Sequence, residues 1–285
     1  MTAAVTGYMH SKSLRGKMAE AVKHGFVLSM LVFAFFPLYM MFNISAKTNR
    51  EFYRQPWLPT APMHVENYVT GWETIGASIP NTLYLSLVPT VGALVLAVLA
   101  SYVFARYRMP GHNLLWSAFI ILMLMPGVAN LMPLFTLLRN MNLLNTYTAL
   151  VLTGIAGAQV FNIFILRNYI EDTPEELFEA AEMDGAGPLR QIWHVVLPMN
   201  GSILATLACL SFIGGWNNFL LPLLVIREPD RLPMAVALYR LADAYVKEWG
   251  PMMSAYAIAS VPLIILFIFT MRFFIRGVTA GALKG

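Results

Sequence analysis

The chain carries little charge and a single cysteine. Charged residues make up 12% of its 285 residues and hydrophobic residues 58%, whereas soluble domains carry about 25% charged residues. A water-exposed globular surface cannot be built from this composition. Cys209 alone excludes a disulfide framework and a thiolate metal cluster, and we interpret it as a small apolar packing residue.

Charge is absent from six long stretches of the sequence. These stretches cover residues 24–46, 74–105, 109–138, 140–166, 191–226 and 249–271. Each exceeds the roughly 20 residues that a helix needs to cross the hydrocarbon core. They are continuously apolar, whereas the strands of a membrane barrel alternate in polarity. The sequence therefore predicts an all-α, polytopic membrane protein with six spanning helices.

No acidic residue lies within the six stretches, and the basic residues lie at or beyond their ends. Ion-coupled and proton-coupled carriers keep ionisable groups at membrane depth, and voltage sensors keep arginines there. Both classes are therefore disfavoured. The first stretch follows a basic tail and could be taken for a secretory signal, but its length and the absence of a clear cleavage site favour a retained anchor.

The sequence also lacks the motifs of common enzymes. It has no Gly-x-x-x-x-Gly-Lys-Ser/Thr phosphate loop, and its five histidines are scattered without metal-ligand spacing. We expect no catalytic residue, no metal and no cofactor in this chain. The net charge of +4 fits the basic loops of an inner-membrane protein, and no basic and aromatic stripe indicates nucleic-acid binding.

Basic residues near the membrane predict the orientation. They concentrate in the N-terminal tail and in the Arg106-Tyr-Arg108 turn, which places both termini in the cytoplasm by the positive-inside rule. We expect a cytoplasmic tail over 1–25, a six-helix membrane domain over 26–276, and a cytoplasmic tail over 277–285. The polar loop, about 169–200, is then cytoplasmic, and 45–80 and 227–250 face outward.

Polar residues are concentrated in this polar loop. Seven of the fifteen acidic residues lie between Glu171 and Asp184. Thr173 as N-cap, Pro174 at the first helical position and Glu176 as the partner in a capping box predict a helix that starts at Thr173. Gly185 should end this helix in the left-handed conformation. A second short helix should open at Gly187-Pro188 and run to about Val196.

The spacing of the first loop helix predicts a small docking face. Leu177, Ala180, Ala181 and Asp184 share one side. Its acidic flanks would be repelled by anionic lipid, and its alanines are small for a membrane-surface helix. A cytoplasmic protein is therefore the better partner for this face.

Neutral polar side chains interrupt the fourth and fifth stretches. They are Gln159, Asn162, Trp216, Asn217 and Asn218. Amides and an indole at membrane depth would suit a neutral polyhydroxylated solute. The alternative is that Asn and Gln bond a neighbouring helix while Gly214-Gly215 allows close packing. Both interpretations stay open.

One motif in the polar loop resembles a known family. Glu179-Ala180-Ala181, then Gly185, then Val195-x-Leu197-Pro198 resembles the EAA motif of bacterial ABC importer permeases, with Val195 in place of the usual Ile. The six stretches, the Trp216-Asn217 pair and the glycine-rich C-terminus resemble the smaller permease of maltose-type carbohydrate importers, which has the type I importer fold. The resemblance implies ATPase-coupling residues, which are Glu179, Ala180, Ala181, Asp184, Gly185, Leu197 and Pro198.

The resemblance also implies partners, a location and a substrate class. In that family a second permease, two ATPase subunits that bind ATP and Mg²⁺, and an external solute-binding protein assemble in the bacterial inner membrane. The tail residues Gly281, Lys284 and Gly285 would reach the ATPase subunits. A carbohydrate, foremost an oligosaccharide, neutral or acidic, is the expected solute. The alternatives are a glycerol phosphate, a carrier that works without ATP, or a scaffold that docks a regulator.

Overall fold

A computed structural model describes residues 14–243 and 246–282 of the chain, and within these ranges the regular structure is helical. The α-helices are α1 Leu14–Ser45, α2 Asn49–Arg54, α3 Glu66–Ile75, α4 Ser78–Arg106, α5 His112–Leu124, α6 Leu131–Asn140, α7 Tyr147–Glu171, α8 Glu175–Met183, α9 Pro188–Gln191, α10 Leu197–Met199, α11 Gly201–Trp216, α12 Leu220–Val225, α13 Met234–Ala242 and α14 Trp249–Ala282. Short 3₁₀ turns occupy Gly127–Asn130 and Pro229–Arg231, and a π-helix occupies Ile192–Val196.

Five stretches of helix among the described residues are long and apolar enough to cross a membrane. They are Glu20–Ser45, Ser78–Arg106, Tyr147–Glu171, Gly201–Val225 and Trp249–Phe269. The third charge-free stretch instead forms two helices, His112–Leu124 and Gly127–Asn140, that meet at 95°. Met125 is extended before Pro126 (ψ 126°), as expected for a residue that precedes proline. The predicted count of six spans therefore holds only if this bent pair is one span.

Helix α4 lies at the centre of the bundle, where it packs against both α7 and α11. Glycines permit these close contacts. A Cβ on Gly154 of α7 would lie 2.9 Å from Pro89 Cβ, and one on Gly215 of α11 would lie 3.0 Å from Ser86 Cα. Because glycine lacks a Cβ, the helix backbones approach closely at these points.

The connector, residues 46–77, joins α1 to α4 and is held by hydrogen bonds near the ends of α1 and α14. Lys47, just after α1, is 1% exposed, and its Nζ donates 2.6 Å hydrogen bonds to the carbonyl oxygens of Gln55 and Leu58. Ser254 Oγ of α14 donates to Asn67 O at 2.6 Å. These bonds fix the connector onto the ends of α1 and α14, since a buried ammonium group needs partners for its hydrogens.

Candidate functional site

The N-terminus of the first loop helix differs from the sequence prediction. Helix α8 begins at Glu175, and Pro174 stands at the N-cap without a side-chain hydrogen bond. The hydroxyl of Thr173 instead donates to Tyr169 O at 3.2 Å, at the end of α7. The predicted capping box of Thr173 and Glu176 is therefore wrong, because the preceding helix offers Thr173 a competing carbonyl acceptor.

The C-terminus of this helix is as predicted. Gly185 has φ +76°, in the left-handed region that side chains disfavour. The Ala186 amide donates to Ala181 O at 2.8 Å, and the Gly185 amide donates to Glu182 O at 2.9 Å. This pair of bonds is a Schellman motif, which closes the helix and turns the chain sharply.

The second loop helix opens as predicted and then departs from the prediction. Gly187 is its N-cap and Pro188 its first residue. It does not end at Val196, because the chain passes through the π-helix Ile192–Val196 and resumes as α10. Single π turns of this kind often occur at functional positions.

A buried aromatic side chain anchors α8 to the bundle. Phe178 is fully buried, and the guanidinium of Arg106, at the end of α4, lies 4.2 Å from its ring centroid. Arg106 Nη1 also lies 3.4 Å from Glu175 Oε1. The cation over the ring and the burial of the ring both hold α8 against α4. The sequence prediction missed this contact.

The opposite side of the polar loop faces outward from the chain. Glu179, Ala180, Asp184 and Gly185 are exposed, and Ala181 is half-buried. Large apolar side chains flank them, with Leu177 39%, Met183 89%, Leu189 72% and Trp193 68% exposed. Further along, Leu197 is half-buried and Pro198 exposed. Exposed apolar side chains beside a rigid turn are typical of a docking surface.

A cavity of about 290 Å³ lies between α4, α7 and α11. Its polar lining comes from Thr90, Thr153, Ser211 and Asn218, and no charged residue contributes to it among the described residues. The Thr90 and Thr153 hydroxyls donate to Ser86 O and Ala149 O, both at 2.7 Å. No hydrogen bond of the Ser211 or Asn218 side chain occurs within the described part of the chain, so both can bond a solute.

The five polar residues proposed from sequence lie in different places. Asn218 lines the cavity. Trp216 is 5% exposed and belongs to a buried apolar cluster with Ile75 and Ala255, and Asn217 Nδ2 donates to Ile213 O on its own helix. Their pathway role stays a prediction, and only Asn218 of these three lies in the lining.

The two polar residues of α7 lie deeper in the helix packing. Gln159 Nε2 donates to Ala93 O of α4 at 3.2 Å and to Ile155 O at 3.0 Å. Asn162 is 1% exposed, and its Nδ2 has no hydrogen-bond partner in the described structure. The Gln159 contact is the interhelical bond that the alternative interpretation anticipates.

The remaining predicted positions can be located only in part. Gly281 lies in the last turn of α14, while Lys284 and Gly285 lie outside the described residues. Within the described ranges, no group of three or more His, Cys, Asp or Glu side chains is placed to hold a metal ion.

The spans and the helix–glycine–helix loop together define a polytopic helical membrane protein of the importer-permease class. Residues 93–280 match the model of the family described as binding-protein-dependent transport system inner membrane component. The chain belongs to this family, whose members are transport permeases rather than enzymes.

The names of similar proteins give two kinds of solute, oligosaccharides and a glycerol phosphate. The arabinooligosaccharides transport system permease protein AraQ of Halalkalibacterium halodurans is 34% identical, over 72% of this chain and 73% of its own length. The diacetylchitobiose uptake system permease protein NgcG of Streptomyces coelicolor is 30% identical, over 93% and 89%. The sn-glycerol-3-phosphate transport system permease protein UgpE of Yersinia pestis is 30% identical, over 85% and 89%.

A solved structure shares the fold. It is a bacterial ABC transporter involved in the import of the acidic polysaccharide alginate, one chain of which superposes with a TM-score of 0.82. The match covers 92% of this chain and 98% of that chain at 22% identity. The likeness confirms the predicted importer-permease fold.

Proposed function

We propose that this chain is one of two permease subunits of an ATP-driven importer for a carbohydrate, foremost an oligosaccharide. The observation that carries the proposal is the polar loop, which is anchored on one side by Phe178 and exposed on the other. The names of AraQ and NgcG support an oligosaccharide.

The polar loop is proposed to receive a separate ATPase subunit. The chain has no phosphate loop of its own, so ATP and Mg²⁺ would be bound by that subunit. The Schellman turn at Gly185 and the exposed Met183 and Leu189 give a partner a fixed surface with apolar contacts. An acidic surface beside them favours a protein partner over anionic lipid.

The other partners follow from the family and from the exposed spans. The family description names dependence on a binding protein, which would deliver the solute to the outer face. Residues 21–39 of α1 are exposed, for example Phe33 at 82%, and would meet lipid or the second permease. We place the chain in the bacterial inner membrane with both termini and the polar loop in the cytoplasm.

The cavity between α4, α7 and α11 supports a hydroxyl-rich solute. Ser211 and Asn218 line it with side chains that make no hydrogen bond within the described residues, and amides and hydroxyls bond sugar hydroxyls in either direction. A glycerol phosphate, the solute in the name of UgpE, would bring a charged phosphate to a lining without a cation. In this cavity such a charge would lack compensation from the chain.

Uptake by the reconstituted importer tests the proposal. Liposomes would hold this chain, the second permease and the ATPase, with the binding protein outside and ATP inside. We expect ATP-dependent uptake of an oligosaccharide. Asn218→Ala should lower the uptake rate roughly 5- to 150-fold, the effect of losing about 1 to 3 kcal/mol of hydrogen bonding.

Thr206→Ala is the matched control, because its hydroxyl bonds Ser202 O of its own helix at 3.0 Å and Thr206 does not line the cavity. Equal uptake by the Asn218→Ala and Thr206→Ala importers, both fully assembled, would contradict the placement of the pathway. Uptake by this chain alone and without ATP would instead support the carrier alternative.

A further inference from the structure

A buried hydrogen bond joins the polar loop to α4. Tyr102 and Gln191 are each 3% exposed, and the Tyr102 hydroxyl donates to Gln191 Oε1 at 2.6 Å. Gln191 Nε2 donates to Glu182 Oε1 at 3.2 Å and to Ala186 O at 3.3 Å. One amide therefore ties together α4, the end of α8 and the glycine turn, with its oxygen and both of its N–H groups in use.

Helix α4, which donates this bond through Tyr102, also forms a wall of the cavity. Pro89 and Thr90 of α4 line the cavity, twelve and more residues before Tyr102, which is roughly 18 Å along a helix. Pro89 has no amide hydrogen to donate, so the helix lacks one backbone hydrogen bond beside the cavity. A displacement at the Tyr102 end can therefore change the wall at Pro89.

A weaker side-chain bond joins α4 to α8. Glu175, which meets Arg106 at 3.4 Å, has a side chain that is 71% exposed, and exposed ion pairs contribute about 0 to 1 kcal/mol. The Tyr102–Gln191 bond is shielded from water, and a buried acceptor left without its donor costs about 1 to 3 kcal/mol. The buried bond is therefore the firmer of the two.

We propose that Tyr102 and Gln191 are positioning residues that deliver the displacement of the polar loop to α4, and through α4 to the cavity wall at Pro89 and Thr90. This inference rests on the proposed function. It gives the second span, Ser78–Arg106, a part in coupling ATP hydrolysis to solute passage. Helix α11 can also take part, because it follows the polar loop directly in the chain. Neither Tyr102 nor Gln191 lines the cavity.

Tyr102→Phe tests the inference because it removes one hydroxyl and keeps the ring that lies 6.5 Å from Phe178. The measurement is the amount of oligosaccharide taken up per ATP hydrolysed by the complete importer in liposomes. We expect this ratio to fall at least about fivefold, the equivalent of 1 kcal/mol. Assembly and ATP hydrolysis without solute should stay near wild type, and the melting temperature should fall by several degrees because Gln191 Oε1 loses its donor.

A double-mutant cycle shows whether the two residues act through their shared bond. Gln191→Leu should lower the same ratio, and the double variant Tyr102→Phe with Gln191→Leu should be no worse than the poorer single variant. Tyr169→Phe is the matched control, since its ring is 49% exposed at the same end of the bundle. Additive losses would overturn the shared-bond assignment.

The failure of this inference can be separated from failure of the proposed function. If the wild-type importer couples uptake to ATP and Tyr102→Phe leaves the ratio unchanged, the positioning role is wrong and the importer assignment stands. If the wild-type importer shows no ATP-dependent uptake, the proposed function itself fails.

Discussion

At the residue scale, two glycines of the polar loop have different conformations. Gly185 has φ +76°, while Gly187 has φ −70°, and neither has an atom within 4 Å of an added Cβ. Any effect of a methyl group at these positions therefore comes from the backbone and not from crowding.

Gly185→Ala should impair coupling, and Gly187→Ala should not. A side chain in the left-handed region costs roughly 1 to 2 kcal/mol, which would open the Schellman turn and displace the docking surface. The measurement is ATP hydrolysis stimulated by solute-loaded binding protein in the assembled importer. If Gly185→Ala and Gly187→Ala are stimulated equally, the turn is not needed for coupling.

A second residue-scale feature is a histidine that bridges two carboxylates in the connector after α1. His64 Nδ1 lies 2.7 Å from Glu66 Oε1, and Nε2 lies 3.2 Å from Glu51 Oε2. The hydrogen bond to Glu66 raises the pKa of His64 above 6.5. A hydrogen bond from the Thr48 backbone is the main cause that lowers the pKa of Glu51, and the pKa of Glu66 is lowered too.

This bridge predicts a pH-dependent stability. Because the pKa of His64 is raised on folding, its contribution is complete below about 6.5 and is lost as the pH rises through the raised value. The two carboxylates, whose pKa values are lowered, contribute above about 4.5 and lose their contribution in more acidic solution. The bridge is therefore strongest in mildly acidic solution.

The measurement is the melting temperature of the purified protein with and without His64→Ala. We expect the largest difference between about pH 5 and 6.5, and a smaller one near pH 9. His194→Ala is the control, because the partner of His194 among the described residues is a backbone carbonyl, Arg190 O, at 3.0 Å. A difference for His64→Ala that does not change with pH would show that the bridge is not charged.

At the scale of elements, the sequence predicts what depends on local backbone chemistry. Glycine allows a positive φ angle at position 185, and proline fixes its own φ angle at position 188. The end of α8 and the start of α9 could therefore be predicted from the sequence. The start of α8 could not, because Tyr169 O competes for Thr173. The Tyr102–Gln191 contact joins residues 89 apart in sequence, and no local pattern connects them.

Helix α8 should depend on Phe178 more than on its neighbour Leu177. Phe178 is fully buried and Leu177 is 39% exposed, and truncation of a buried Phe to Ala costs about 3 to 5 kcal/mol. Phe178→Ala should therefore free α8 from the bundle. Hydrogen exchange of the amides in 175–183 should become much faster, with Leu177→Ala as the control that changes little. Slow exchange in Phe178→Ala would place the anchor elsewhere.

At the scale of the whole molecule, charge segregation predicts a helical membrane bundle because a long apolar stretch has few other stable states in lipid. It does not predict how a stretch bends. The third stretch reads as one span in the sequence, yet its two helices meet at 95°. The cavity could not be predicted either, because it depends on how α4, α7 and α11 pack.

The proposed orientation can be checked by cysteine labelling. Cys209 is buried and is the only cysteine, so a Cys209→Ala background is free of thiols. Tyr53 is 72% exposed, and a cysteine in its place should react with an impermeant reagent from outside the cell. Met183 is 89% exposed, and a cysteine in its place should react only after the membrane is permeabilised. Labelling of both from the same side would refute the orientation.

Photo-crosslinking from position 183 in the complete importer tests most directly whether the polar loop is where an ATPase docks. A photoreactive residue in place of Met183 should crosslink to an ATP-hydrolysing subunit, whereas the same residue in place of Met63, which is 65% exposed in the connector after α1, should not. An importer that is active in uptake but gives no crosslink to the ATPase from position 183, or an equal yield from position 63, would contradict this role.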